Sequence, residues 1–209
     1  MSAAFANPAQ TWDKRFSTDD YIFGTAPNVW LARHAKLIAP GGRALAVADG
    51  EGRNSVWLAQ QGMQVDAFDI AAVGVAKAQK LAAQQQATVN YAVCGCEDWP
   101  WQTAQYDLVA AIFIQFADPD ARTVLFAQLI DTLKPGGVLL LQGYTPQQLA
   151  YKTGGPPLLS HLYTDALLRE AFSDMEIMEL DSYEEVLHEG TQHSGQSALI
   201  GMVARKKPT

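Results

Sequence analysis

Between residues 43 and 142 short apolar runs alternate with segments of helical spacing, and this alternation restricts the fold more than anything else in the chain. RALAVA (43–48), QVDAFD (64–69), TVNYAV (88–93), YDLVAAI (106–112) and VLLLQ (138–142) read as strands. Helices are expected over 54–61, capped by Asn54 or Ser55 and stopped by Gly62, over 72–86, and over 119–132 behind Pro119. KPGG (134–137) makes the turn into VLLLQ, whose unbroken apolar character fits the middle of a parallel sheet. Beyond it the pattern changes to a loop or broken helix (145–157), a helix (164–171) and two long strands (175–186 and 196–205) that should pair as a hairpin. The expected architecture is α/β: a doubly wound, mostly parallel sheet with an antiparallel pair at one edge. Its ligand should lie beyond the carboxyl ends of the first strands.

The 209 residues suit a single domain with a substantial core. Its expected parts are an N-terminal cap (1–40), a ligand-binding core (41–144) and a closing region of lid loop, helix and late hairpin (145–209). The formal net charge of -7, with only Arg205, Lys206 and Lys207 as a basic cluster, argues against a surface that tracks phosphates. Nucleic acid is therefore not an expected partner. No apolar run reaches the roughly 18 residues of a membrane span, and the polar start lacks a signal-like pattern, so a cytoplasmic protein without a membrane partner is expected. Cys94 and Cys96, one residue apart, are poorly placed for a structural disulfide and too few for a closed zinc site. His188 and His193 lack a third ligand at metal spacing, so no metal is expected.

The loop after the first strand, VADGEGRNS (47–55), has two of the three glycines of a dinucleotide-binding turn, with Ser55 in place of the third. It also carries two carboxylates, Asp49 and Glu51. At an effective dielectric near 20, two unit charges about 4 Å apart interact by about 4 kcal/mol, so these acids disfavour an anionic ligand and favour a cationic one. S-adenosylmethionine carries a sulfonium, an ammonium and one carboxylate, and its ribose needs an acceptor at the end of the second strand. Asp69 stands there, twenty residues after Asp49. The alternative role for Asp69 is to cap the helix that starts near Ala71.

With those residues in view, WDKRFSTDDYIFGTAPN (12–28), DGEGRNS, FDIAAVGVAKA (68–78), EDWPW (97–101), YDLVAAIF, LKPGGVLLLQGY and YKTGGPP carry a family resemblance. The chain resembles the class I S-adenosylmethionine-dependent methyltransferases, which have a Rossmann-like seven-stranded sheet, and in particular a small bacterial branch related to tellurite-resistance and thiopurine methyltransferases. The resemblance implies that Asp49, Gly50, Glu51 and Gly52 surround the methionyl end of the donor, with Asn54 closing the turn. It places Asp69 and Ile70 at the ribose and one adenine face, and Cys96 and Glu97 at the adenine edge. Tyr21 and Phe23 would fold over the donor, while Phe113, Ile114 and Gln115 would line the transfer channel. In two places the chain departs from the family pattern: Ala46 and Ala48 stand where the loop's usual acid and first glycine fall, and Gly95 replaces the usual adenine-binding Asp.

Methyl transfer from a sulfonium is an in-line displacement that needs alignment and a dry site more than any obligatory catalytic group. Candidates near the acceptor are Gln115, Tyr144, Tyr151, Lys152 and His193, the last expected in the loop between the late strands. Tyr151 and Lys152 would belong to a lid. IFIQF stands where amino-methylating nucleic-acid enzymes carry an Asn/Asp-Pro-Pro-aromatic run, and the insertion before the hairpin is short. Both point to a small-molecule acceptor, a thiol or chalcogen among the candidates. Two other readings stay open: a non-catalytic S-adenosylmethionine sensor and a nicotinamide-dependent oxidoreductase. The assembly state is not legible.

Overall fold

The strands are β1 (Arg43–Val47), β2 (Gln64–Asp69), β3 (Val89–Val93), β4 (Tyr106–Ile112), β5 (Leu133–Tyr144), β6 (Met175–Glu189) and β7 (His193–Lys206). In the computed structural model, which describes residues 7–208, they form one seven-stranded sheet in the order β3-β2-β1-β4-β5-β7-β6. β1 to β5 run parallel, while β7 pairs antiparallel with both β5 and β6. The chain order reverses between β1 and β4, which is where a doubly wound sheet opens a crevice. The helices are α1 (Pro8–Phe16), α2 (Val29–Arg33), α3 (Arg53–Gln60), α4 (Ala72–Gln84), α5 (Pro119–Thr132), α6 (Gln148–Tyr151) and α7 (Asp165–Ala171). Of the expected N-terminal cap, residues 1–6 lie outside the described residues, as does residue 209 of the closing region.

The unbroken apolar runs follow from burial of the sheet on both faces. Leu45, Val47, Val109, Leu139 and Leu141 point to one side and pack with Leu125, Phe126 and Leu129 of α5. Ala44, Leu108, Ala110 and Leu140 point to the other, against Leu58 of α3 and Trp30 and Leu31 of α2. Alternate residues therefore serve two cores, and neither set can be polar.

Local chemistry differs from expectation at three places. α3 is capped by neither Asn54 nor Ser55: Gly52, at φ 92°, is the cap position, and Asp49 accepts from the Ser55 amide (3.2 Å) and hydroxyl (2.5 Å). The KPGG turn lies inside β5 as a bulge, since Leu133 pairs with Tyr106 and Val138 with Leu108. The late hairpin is longer than its apolar pattern implied, so His193 is the first residue of β7 rather than part of a loop. Its tip is held by the N-terminal segment: the amides of Thr191 and Gln192 donate to the Ile22 carbonyl at 2.8 and 3.1 Å. Gly190 makes this possible, because a Cβ there would lie 2.3 Å from that same oxygen. The clamp carries Phe23 to the hairpin and starts the wall of the site.

Candidate functional site

A cavity of about 580 Å³ opens at the carboxyl ends of β1 to β4. Two non-glycine residues at this edge, Ala48 after β1 and Phe113 after β4, adopt left-handed conformations at φ 49° and 56°. Each such conformation costs of order 1–3 kcal/mol, and both line the cavity on either side of the switch point. Ala48 occupies the position where the family pattern has a glycine, so this chain keeps the turn and carries the strain.

Asp49 and Asp69 form the polar end. Asp69 is 7% exposed, and its two oxygens accept from the Gly50 amide (2.9 Å) and the Ala71 amide (2.8 Å). The capping role and the cavity-lining role thus coexist in one side chain. A carboxylate has roughly four acceptor positions, so two amides leave room for a pair of hydroxyls. Burial raises Asp69 to about 6 against those amides, and raises Asp49 to about 7 against its bonds from Ser55. Neither acid has a cation as a hydrogen-bonded partner among the described residues; Arg53 acts on Asp49 only from a distance.

Glu51 behaves differently. It is 2% exposed, ion-paired with Lys77 at 2.5 Å, and absent from the cavity wall. The loop therefore turns one carboxylate into the cavity and neutralises the other. Gly52 also faces away, because a Cβ on it would sit 2.7 Å from the Ala78 Cβ; its lack of a side chain serves the packing of α3 against α4. Gly50, Asn54, Ile70, Cys96, Glu97 and Phe23 line the cavity as expected residues, and Phe113 joins them. Asn54 also accepts from the Asn28 amide at 2.9 Å. The Cys96 thiol is pushed up to about 12, chiefly by burial and then by Glu97, so it is an uncharged wall group.

Tyr21 is not in the wall: its hydroxyl donates to the Lys77 carbonyl at 3.1 Å while its ring packs on Val56 and Leu81. Gln115 is spent on structure. Its amide nitrogen donates to the carbonyls of Tyr144 and His161 (2.9 and 3.0 Å), and its oxygen accepts from the Tyr144 amide at 2.6 Å. Ile114 is buried in the core, and Tyr144, Tyr151 and Lys152 do not line the cavity.

The remaining wall is aromatic, made by Trp12, Phe16, Phe23, Phe113 and Phe116 with His161 and His193. Trp12 stacks on Phe16 at 5.4 Å, and the His193 ring lies 4.4 Å from Phe23 and 4.3 Å from Phe113. Behind His193 is a polar cluster that the sequence did not announce. Glu189, 6% exposed, binds Arg53 at 2.8 Å, the Asn28 side-chain amide at 3.0 Å and the Val29 amide at 3.0 Å. His193 nearby, Arg53 and the Val29 amide together outweigh its desolvation and hold it down to about 2. Within the cluster, Glu189 and His193 are four residues apart on paired strands, a spacing visible in the sequence only to a reader who already knew the hairpin extended that far.

Among the described residues no cluster of His, Cys, Asp or Glu is arranged to hold a metal ion, and no helix is long and apolar enough to cross a membrane. Residues 44–137 match a family of methyltransferase domains. The ubiquinone biosynthesis O-methyltransferase of Xanthomonas campestris is 31% identical over 131 residues, 61% of this chain and 54% of that protein. The chain spans between 39% and 54% of the length of the curated relatives it matches. Among solved structures, TehB from Haemophilus influenzae superposes with a TM-score of 0.72 at 20% identity, covering 95% of this chain and 67% of that one. A chain from the conversion of a disulfide bond into a thioacetal group during echinomycin biosynthesis superposes with a TM-score of 0.77 at 16% identity, covering 96% and 92%. The matched stretch runs from β1 into β5 and carries the acidic end of the cavity, so the likeness to methyltransferase domains falls on the part of the chain that bears Asp49 and Asp69.

Proposed function

We propose that this chain transfers the methyl group of S-adenosylmethionine to a small acceptor, a thiol or chalcogen. One observation carries the reading: a single cavity joins an acidic end at Asp49 and Asp69 to an aromatic end built from α1, Phe23, Phe113 and the hairpin tip. The residues present fit the donor. Asp69 would hold the ribose, the Asp49 carboxylate would face positive charge, and Ile70 with Cys96 would border the base. When bound, the donor supplies an electrophilic methyl on a sulfonium whose charge vanishes on transfer.

The chain's own part is to bind, orient and exclude water. Trp12, Phe16, Phe23 and Phe113 provide apolar walls around the acceptor end, and a desolvated nucleophile held in line needs little else. An uncharged, polarizable sulfur suits such walls better than a phosphate or a sugar, since Arg53 is already paired with Glu189. The sulfur chemistry named for the echinomycin neighbour supports the same reading.

Calorimetric titration should show S-adenosylhomocysteine binding and none by NADH. Labelled methyl transfer from S-adenosylmethionine should then occur with a panel of thiols and chalcogen oxyanions. Binding without transfer to any of them would favour a sensor, and transfer to protein or RNA alone would reject the small-molecule reading.

A further inference from the structure

His193 is 9% exposed, yet it lines the cavity. Phe23 and Phe113 hold its ring from two sides, so its orientation is set by packing. Its Nδ1 is buried 3.7 Å from Glu189 Oε2, longer than a hydrogen bond, and has no nearer partner among the described residues. Glu189 itself is fixed by Arg53, Asn28 and the Val29 amide, and so is an ionised group of defined position.

A carboxylate on the Nδ1 side favours the tautomer with its proton on Nδ1. Nε2 is then the nitrogen left for the cavity, with its lone pair free. We propose that His193 is the base that takes the acceptor's proton, with Glu189 as its positioning residue, so that the acceptor is a thiol arriving protonated. This rests on the thiol reading above and narrows it, because an already anionic chalcogen needs no base. In the step, the S–H proton passes to Nε2 while a sulfur lone pair forms the new bond to the methyl carbon. The electron pair of the broken methyl–sulfur bond stays on the donor sulfur, which leaves uncharged; the imidazolium faces Glu189 until solvent takes the proton. The groups facing the ring are Glu189 on β6, Arg53 on α3, Arg15 on α1 and Tyr144 on β5. Desolvation first, opposed by Glu189, lowers the imidazole below its ordinary value, so the base is neutral and ready at pH 7.

Two measurements test this. The ¹⁵N spectrum of the unliganded protein should show His193 as the Nδ1-protonated tautomer. Methyl transfer should also be compared for benzyl mercaptan, protonated at pH 7, and 4-nitrothiophenol, ionised at pH 7. In His193→Gln the ratio of kcat on the first to kcat on the second should fall about a hundredfold, the scale of general base catalysis, with S-adenosylhomocysteine affinity retained. Raising the pH until benzyl mercaptan ionises by itself should close the gap. An equal loss on both thiols, or an Nε2-protonated tautomer, would overturn the base. If the wild type binds S-adenosylhomocysteine but methylates neither thiol, the thiol reading itself fails and takes the base with it.

Discussion

Asp49 and Asp69 stand in the cavity wall and Glu189 lies behind it, and the acidities of the two sets are shifted in opposite directions. Asp49 and Asp69 are raised to about 7 and about 6, whereas Glu189 is lowered to about 2. All three are carboxyls that accept hydrogen bonds from backbone amides or a side chain, so burial and hydrogen bonding alone do not separate them. The difference lies in the nitrogen bases around them: Glu189 has His193 and Arg53 beside it, the latter at 2.8 Å, and the other two have neither kind in contact among the described residues. A satisfied carboxylate is part of the scaffold, while an unsatisfied one is a demand that a ligand can meet. On the proposed reading the acidic end gains from a positive donor, whereas Glu189 already has its charge partner.

The strongest way to break this comparison is to remove the cation. Arg53→Met should destabilise the fold by about 3–5 kcal/mol, since it leaves Glu189 buried without its partner; chemical denaturation would measure it, and a loss below about 1 kcal/mol would deny the pair its role. In the cavity wall, Asp69→Ala should leave the fold standing but weaken S-adenosylhomocysteine binding by about 1.5–3 kcal/mol, the scale of charge-assisted hydrogen bonds. Unchanged affinity by calorimetry would take Asp69 out of the site.

The pH dependences should run in opposite directions. The folded chain keeps protons on Asp49 and Asp69 where the unfolded chain, with ordinary values of 3.8, has lost them, so this end loses stability as pH rises from about 4 to 7. Glu189 contributes stability above its ordinary 4.5, which disappears as pH falls toward 2. Ligand binding sharpens the contrast. S-adenosylmethionine affinity should rise by up to about tenfold per pH unit below 7 and level off above it, more steeply than that of uncharged S-adenosylhomocysteine. Identical slopes for the two ligands would mean that Asp49 does not sense the sulfonium. The smallest expected effect is Ser55→Ala, which removes one hydroxyl from Asp49: about 1 kcal/mol of stability, and a shift of the affinity break to higher pH.

Much of the acidic end was legible before any coordinates. β2, β4 and α5 occupy the stretches that apolar spacing and Pro119 marked, and Asp69 falls at the strand end where spacing put it. Of the glycine loop's two acids only Asp49 lines the cavity, because nothing in VADGEGRNS says that Lys77, a helix away, reaches Glu51. The aromatic end was far less legible. Tyr21 and Phe23 lie two residues apart in one short motif, yet Phe23 faces the cavity and Tyr21 packs on α4. The extra length of the hairpin was hidden because the residues it adds, Leu187–Glu189 and His193–Gly195, are mostly polar and flank Gly190, so they resemble a loop.

The sequence alone determined the order of strands and helices, the crevice at their carboxyl ends and the acid that marks it. These follow from periodicity and from side chains acting on backbone within a few residues. Tertiary structure decided which carboxylate faces the cavity, and it brought Arg53 to Glu189 across 136 residues and His193 between Phe23 and Phe113. A charge's environment depends on what is folded against it, and contacts between distant segments leave no spacing in the chain to read.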